Sequence, residues 1–174
     1  MNRWTRRSFM STAALGASAT GLLRPARAAE LPKPTETVIL TISGKISVFN
    51  DGDRARFDRP MLEALGTTSF RTQTPWYEQP VTFEGVPMTR LLAAVGASGT
   101  TLQAYALNDY VSEIPIEDFA RYGTLLALKR DGAYMPVRDK GPLFIVYPYD
   151  TDPELRSQRF YGRSAWQVAR LVVR

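Results

Sequence analysis

After residue 36 the alternation of apolar and polar positions divides the chain into short elements that switch between a period of two and a helical period. TVILTISGKI (37–46) alternates Val38, Leu40 and Ile42 against Thr37, Ile39 and Thr41, which predicts a strand that Gly44 breaks or turns. NDGDRARF (50–57) has no period and reads as a polar loop. Asp58 precedes RPMLEALG as an N-cap residue type, with Pro60 in the first turn and Gly66 at the end, so a short helix is expected over 59–66. TTSFRTQTPW (67–76) is Thr-rich without helical spacing and reads as extended. VTFEGVPMTRLLAAVGA (81–97) reads as a strand, a Gly-Val-Pro turn, and a helix from Pro87 to Val95 stopped by Gly96.

TLQAYALNDYVSEIP (101–115) reads as a strand that bends at Asn108-Asp109 and resumes, and IEDFARYG (116–123) as a short helix ended by Gly123. TLLALKRDGAYMPV (124–137) carries the hairpin signal Asp131-Gly132. PLFIVYP (142–148) is a continuous apolar run between prolines and reads as a central strand. DPELRSQRFYG (152–162) is a polar helix or loop, and SAWQVARLVV (164–173) a final strand with Trp166 alternating into the core. No internal repeat is present. The reading is α+β, a mixed β-sheet with short peripheral helices, in one domain over 37–174 behind a Pro-rich, extended lead-in over 29–36.

Composition narrows the chemistry. The 174 residues suffice for one domain with a core. Five of the 22 basic residues lie in 1–28, which holds no acid, so the remaining 17 balance the 17 acidic residues. The formal charge of +5 therefore belongs to the leading segment, and the domain offers no electrostatic case for nucleic acid. Cys and His are absent. That excludes disulfides, a thiolate nucleophile, Cys- or His-based metal sites and a Ser-His-Asp triad.

The first 28 residues have the parts of an export signal. Arg6-Arg7 precede Ser8-Phe9-Met10, a small-residue apolar stretch runs to Leu23, and Ala26-Arg27-Ala28 is a small-x-small cleavage pattern. TRRSFM resembles the twin-arginine signal, which implies folded export to the periplasm and no stable membrane insertion after cleavage. An ordinary secretory signal or an uncleaved anchor is the plainer alternative.

The order FDRPMLEAL, VTFEGVPMTRLLAAVG, YALNDYVSEIPIEDF, LLALKRDGAYMPVRDKGPLFIVYP, RSAWQVARLVV resembles the molybdopterin-binding domain of the sulfite oxidase superfamily over about residues 37–173. Catalytic members bind molybdenum through a Cys ahead of the F-x-G-V-P strand. The matching segment here, TTSFRTQTPWYEQP, has none, and a hydroxyl is a far poorer ligand than a thiolate. The chain is similar to a compact, cysteine-free, exported branch. That resemblance implies a non-catalytic periplasmic pterin-binding protein, with a tetrahydropterin-type ligand, that reports to an inner-membrane sensor or cyclic di-GMP enzyme. The alternative it leaves open is a molybdopterin-dependent oxidoreductase with a non-Cys metal site. A subunit that kept the fold and lost the pocket is the third reading.

A pterin is flat and has a hydrogen-bonding edge, which assigns candidate roles. Trp76 would stack on the ring, Asp109 would accept from its amino edge, Asn108 would pair beside it, and Tyr110 would close one side. Arg138 and Lys140 stand in VRDKGP, and Tyr149 follows the apolar strand with Tyr147 and Asp150. By resemblance, Arg163 and Ser164 would hold a phosphate or polar tail. Each has a plainer reading: packing for Trp76 and Tyr110, a turn or bulge for Asn108-Asp109, and a solvated charge run for Arg138 and Lys140. No catalytic residue and no metal ligand is assigned.

Overall fold

The computed structural model describes residues 31–174. The expected export signal and the first two residues of the lead-in lie outside the described residues. Two five-stranded sheets make up the domain. The first contains β1 (Leu40–Gly44), β2 (Ala55–Phe57), β5 (Thr101–Ala106), β6 (Val111–Pro115) and β10 (Val168–Val173), in the order β2-β1-β10-β5-β6. Its β1–β10 pair is parallel and the other pairs are antiparallel, so the sheet is mixed. The second is antiparallel: β3 (Thr68–Thr74), β4 (Tyr77–Pro87), β7 (Leu125–Arg130) and β8 (Ala133–Tyr134), with β9 (Phe144–Val146) also pairing β7. Four short helices connect them: α1 (Arg59–Ala64), α2 (Met88–Ala94), α3 (Glu117–Tyr122) and α4 (Gln158–Arg163).

The core has two parts, with the second sheet between them. Leu40, Ile42, Leu102, Ile114 and Leu171 from the first sheet pack with Leu126, Leu128 and Ile145 from the second. On the other side, Phe83, Leu125, Ala127 and Phe144 join Tyr147, Tyr149 and Phe160 in an aromatic cluster. Alternate residues of β7 and β9 thus face different cores, which explains why LLAL and FIV are continuously apolar. Residues of the second cluster position the site.

Asp58 caps α1 by accepting from the Met61 N–H at 3.0 Å, and it also takes the N–H groups of Thr35 (2.7 Å) and Glu36 (2.9 Å). The lead-in is thereby fastened to the domain. The turn at Asp131-Gly132 has both residues left-handed, at φ 49° and 81°, the geometry a two-residue hairpin requires.

Five elements differ from expectation. The polar loop ends early, because Ala55 and Phe57 bury their side chains and pair as β2 with β1. Gly85, Val86 and Pro87 form no turn. They continue β4 in register with Ala127, Leu126 and Leu125, and a Cβ on Gly85 would lie 2.1 Å from the Leu126 carbonyl oxygen. The bend at Asn108-Asp109 is a full reversal: Asp109 takes φ 63° and β6 folds back antiparallel on β5, with Tyr105 opposite Val111. The expected central strand at 142–148 shortens to three residues that pair with β7 on one side and meet Trp166 through an isolated bridge on the other. The final strand begins only at Val168, leaving Trp166 half-buried outside it, in contact with the aromatic cluster.

Candidate functional site

Three chain segments meet around a cavity of about 290 Å³ on the aromatic side of the second sheet. The β3–β4 turn supplies Trp76, the β5–β6 turn supplies Asn108 and Tyr110, and α4 with the residues after it supplies Gln158, Tyr161, Gly162, Ser164 and Trp166. Trp76 sits at the centre of the walls. Its ring meets Phe144, Tyr149, Tyr161 and Trp166 edge-to-face at centroid distances of 5.4, 6.0, 5.9 and 5.6 Å. Such contacts hold the wall in one geometry and leave aromatic surface for a flat ligand.

The two polar walls are joined by one carbonyl. Gly162 O accepts from Tyr110 Oη at 2.7 Å and from Ser112 Oγ at 2.8 Å, which clasps the hairpin turn to α4. Asn108 Oδ1 accepts from the Tyr110 N–H at 3.3 Å, fixing the turn from within. Ser164 is buried and donates to Phe160 O at 2.8 Å, and the Tyr149 hydroxyl lies against its Oγ.

Behind α4 lies an ionic network. Asp118 Oδ2 accepts from Arg163 NH1 at 2.7 Å and from Tyr147 Oη at 2.9 Å, tying α3 to the end of α4 and to the residue after β9. Burial, with the Asp118 carboxylate beside it, pushes the Tyr147 phenol far above its usual range. Burial also pushes Tyr149 well up, so both tyrosines keep their protons.

Of the nine residues singled out, Trp76, Asn108, Tyr110 and Ser164 line the cavity. Tyr149 lies beneath it, against Trp76 and Ser164. Asp109 is exposed at the tip of the turn and Arg138 is exposed on the 3-10 turn Val137–Asp139; neither lines the cavity. Lys140 places its Nζ 5.2 Å from the Tyr77 ring and 5.3 Å from the Trp166 ring and is not among the lining residues. Arg163 is engaged by Asp118. Tyr147 belongs to the network and Asp150 pairs with Arg156 at 2.7 Å.

Gln158, Tyr161, Gly162 and Trp166 line the cavity without having been singled out for it. Gln158 and Tyr161 are three apart in α4 and so share a helix face. The spacing was present in the sequence, but DPELRSQRFYG has no apolar period to announce a helix.

No lysine or arginine lines the cavity, the chain has no cysteine or histidine, and no group of three metal-ligating side chains occurs among the described residues. A phosphorylated cofactor with a thiolate-bound metal would find neither a cation nor a thiolate among these lining residues.

No family model matches the chain, and no curated protein matches its sequence. Among solved structures it is similar to the crystal structure of the sulfane dehydrogenase SoxCD from Paracoccus pantotrophus, with 19% identity and a TM-score of 0.57. The likeness covers 77% of this chain and 37% of that one, so the chain spans little more than a third of its neighbour's length. At that identity the likeness is one of fold: the α+β architecture of the sulfite oxidase type, expected from the order of the sequence segments, is the architecture the chain has.

Proposed function

We propose that this chain is an exported, non-catalytic pterin-binding protein that passes the occupancy of its pocket to an inner-membrane signalling partner. The observation that carries the reading is the composition of the cavity: three aromatic walls, Trp76, Tyr161 and Trp166, with Asn108, Gln158, Tyr110 and Ser164 as polar groups and no charged side chain. Aromatic surface with a few fixed polar atoms suits a flat, uncharged heterocycle. A tetrahydropterin meets that description, whereas a phosphorylated cofactor would find Arg163 held by Asp118.

Transmission to a partner draws support from the β5–β6 turn. The turn that brings Asn108 and Tyr110 to the cavity also exposes Leu107 and Val111 at 54% and 47%. A change in the pocket wall therefore reaches exposed apolar side chains within one turn. Export to the periplasm rests on the twin-arginine pattern at Arg6-Arg7, and the choice of a sensor or cyclic di-GMP enzyme as partner rests on the resemblance stated above.

The second reading, a molybdopterin-dependent oxidoreductase with a non-Cys metal ligand, draws support from the fold shared with a sulfane dehydrogenase. The uncharged, thiolate-free pocket weighs against it.

The test is to purify the protein after export by its own signal, without chelator, denature it, and identify released molecules by mass spectrometry and fluorescence, with molybdenum and tungsten assayed in parallel. A metal-free pterin is the expected result. Near one equivalent of molybdenum with a dithiolene pterin would overturn the proposal and favour the oxidoreductase.

A further inference from the structure

Two of the hydroxyls that line the pocket, those of Ser164 and Tyr110, have already committed their protons. Ser164 lines the cavity yet is 1% exposed. Its single hydroxyl proton goes to Phe160 O at 2.8 Å, an atom that can only accept. The Tyr149 hydroxyl against Ser164 Oγ must then be a donor. Tyr149 keeps that proton, because burial raises its phenol well above the usual range. Ser164 Oγ is left with one lone pair. Tyr110 is committed in the same way, since its proton goes to Gly162 O at 2.7 Å. Asn108, whose Oδ1 is taken by the Tyr110 N–H, retains its amide NH₂ as a donor. Ser164 and Tyr110 thus present acceptors to the cavity, while Asn108, Gln158 and Tyr161 keep groups that can donate. Ser164 is the buried acceptor, while Asn108 and Tyr110 stand at the exposed mouth.

We infer that Ser164, held as an acceptor by Phe160 and Tyr149, is the specificity-determining residue that reads an exocyclic amine on the ligand. The pocket then takes 2-amino-substituted heterocycles and rejects their 2-oxo counterparts. This rests on the proposal that the cavity binds a pterin. A group that projects from the ring reaches a buried atom more readily than a ring nitrogen does, which selects the amine. An oxo group in its place sets lone pair against lone pair and leaves the buried Ser164 acceptor unpaired. Sites that pair a buried polar group reject an analogue that cannot return the bond, here by about tenfold or more. Tyr149 is a positioning residue, acting through Ser164.

The experiment is calorimetric titration of the purified exported protein with pterin and with lumazine, which replaces the 2-amino group by oxygen. The same titrations are run on Ser164→Ala and on the near-isosteric Ser164→Cys, whose thiol is a weak acceptor. The parent protein should bind pterin at least about tenfold more tightly than lumazine, and both variants should bring the two affinities within about threefold. Equal binding of the two compounds by the parent protein would overturn the inference and leave the pterin reading standing. A preference that survives in a folded variant would remove Ser164 from the role. Binding of neither compound would overturn both.

Discussion

Gly162 is the residue at which the pocket can be closed without disturbing the fold. A Cβ there would meet only Tyr110 Oη within 4 Å, at 3.9 Å, an ordinary contact. The position lies inside α4, where Leu is about 0.8 kcal/mol more favourable than Gly. Gly162→Leu should therefore fill the cavity mouth, reduce pterin affinity by more than about tenfold, and leave the thermal midpoint unchanged or slightly raised. Titration and a melt on the same sample check both halves. Gly85 is the opposite case, since its Cβ would enter the Leu126 backbone. Both are glycines after a polar or aromatic residue in the sequence, and only the opposing chain tells them apart. Tyr110 and Ser164 lend themselves to sequence reading because they sit beside turns and strand ends. Asp109 and Arg163 do not, because neighbouring residues on a short turn or helix point in different directions, a rotation that spacing alone does not fix.

At the scale of elements, two carboxylates hold segments in place. Burial alone would raise the pKa of Asp58, but the N–H groups of Met61, Glu36 and Thr35 outweigh it and hold the carboxyl below its ordinary 3.8. A depressed folded-state value means that the stabilisation is complete above the unfolded pKa and is lost as pH falls through the folded one. Stability should therefore decline below about pH 4. In Asp58→Asn that part of the decline should disappear, as chemical denaturation between pH 2 and pH 6 would show. Asp118 joins α3 to α4 through Arg163 and Tyr147. Asp118→Ala leaves a largely buried guanidinium unpaired, so it should cost about 3 kcal/mol and lower the midpoint by roughly 6–12 °C. A midpoint within 2 °C of the parent would show that the network does not hold α4. Helix α1 was readable because Asp58, Pro60 and Gly66 are local signals, and the hairpin at Asp131-Gly132 for the same reason. The reversal at Asp109 was not, because a bend and a turn use the same residues and differ only in whether β6 finds β5.

For the whole molecule, the domain is a set of layers in which the second sheet separates an aliphatic core from an aromatic one. The pocket opens in the aromatic layer, so its walls are part of the folded core, and binding should stabilise the entire domain. At a ligand concentration one hundred times the dissociation constant the gain is about 2.7 kcal/mol, which should raise the midpoint by roughly 5–11 °C. A tetrahydropterin that binds in titration but leaves the melt unmoved would place binding outside the folded domain. By itself the sequence determined the fold class, most element positions, the neutral charge of the domain and the absence of thiolate and imidazole chemistry. These follow from local periodicity, turn chemistry and composition, which need no knowledge of distant partners. The tertiary structure alone decided that Gly85-Val86-Pro87 is strand, that Trp166 faces a cavity, that Asp118 claims Arg163, and that Ser164 can only accept. Each of these depends on which atoms from distant parts of the chain, 45 residues apart in the case of Arg163 and Asp118, share one space, and hydrogen-bond direction is fixed only when every neighbour is in place.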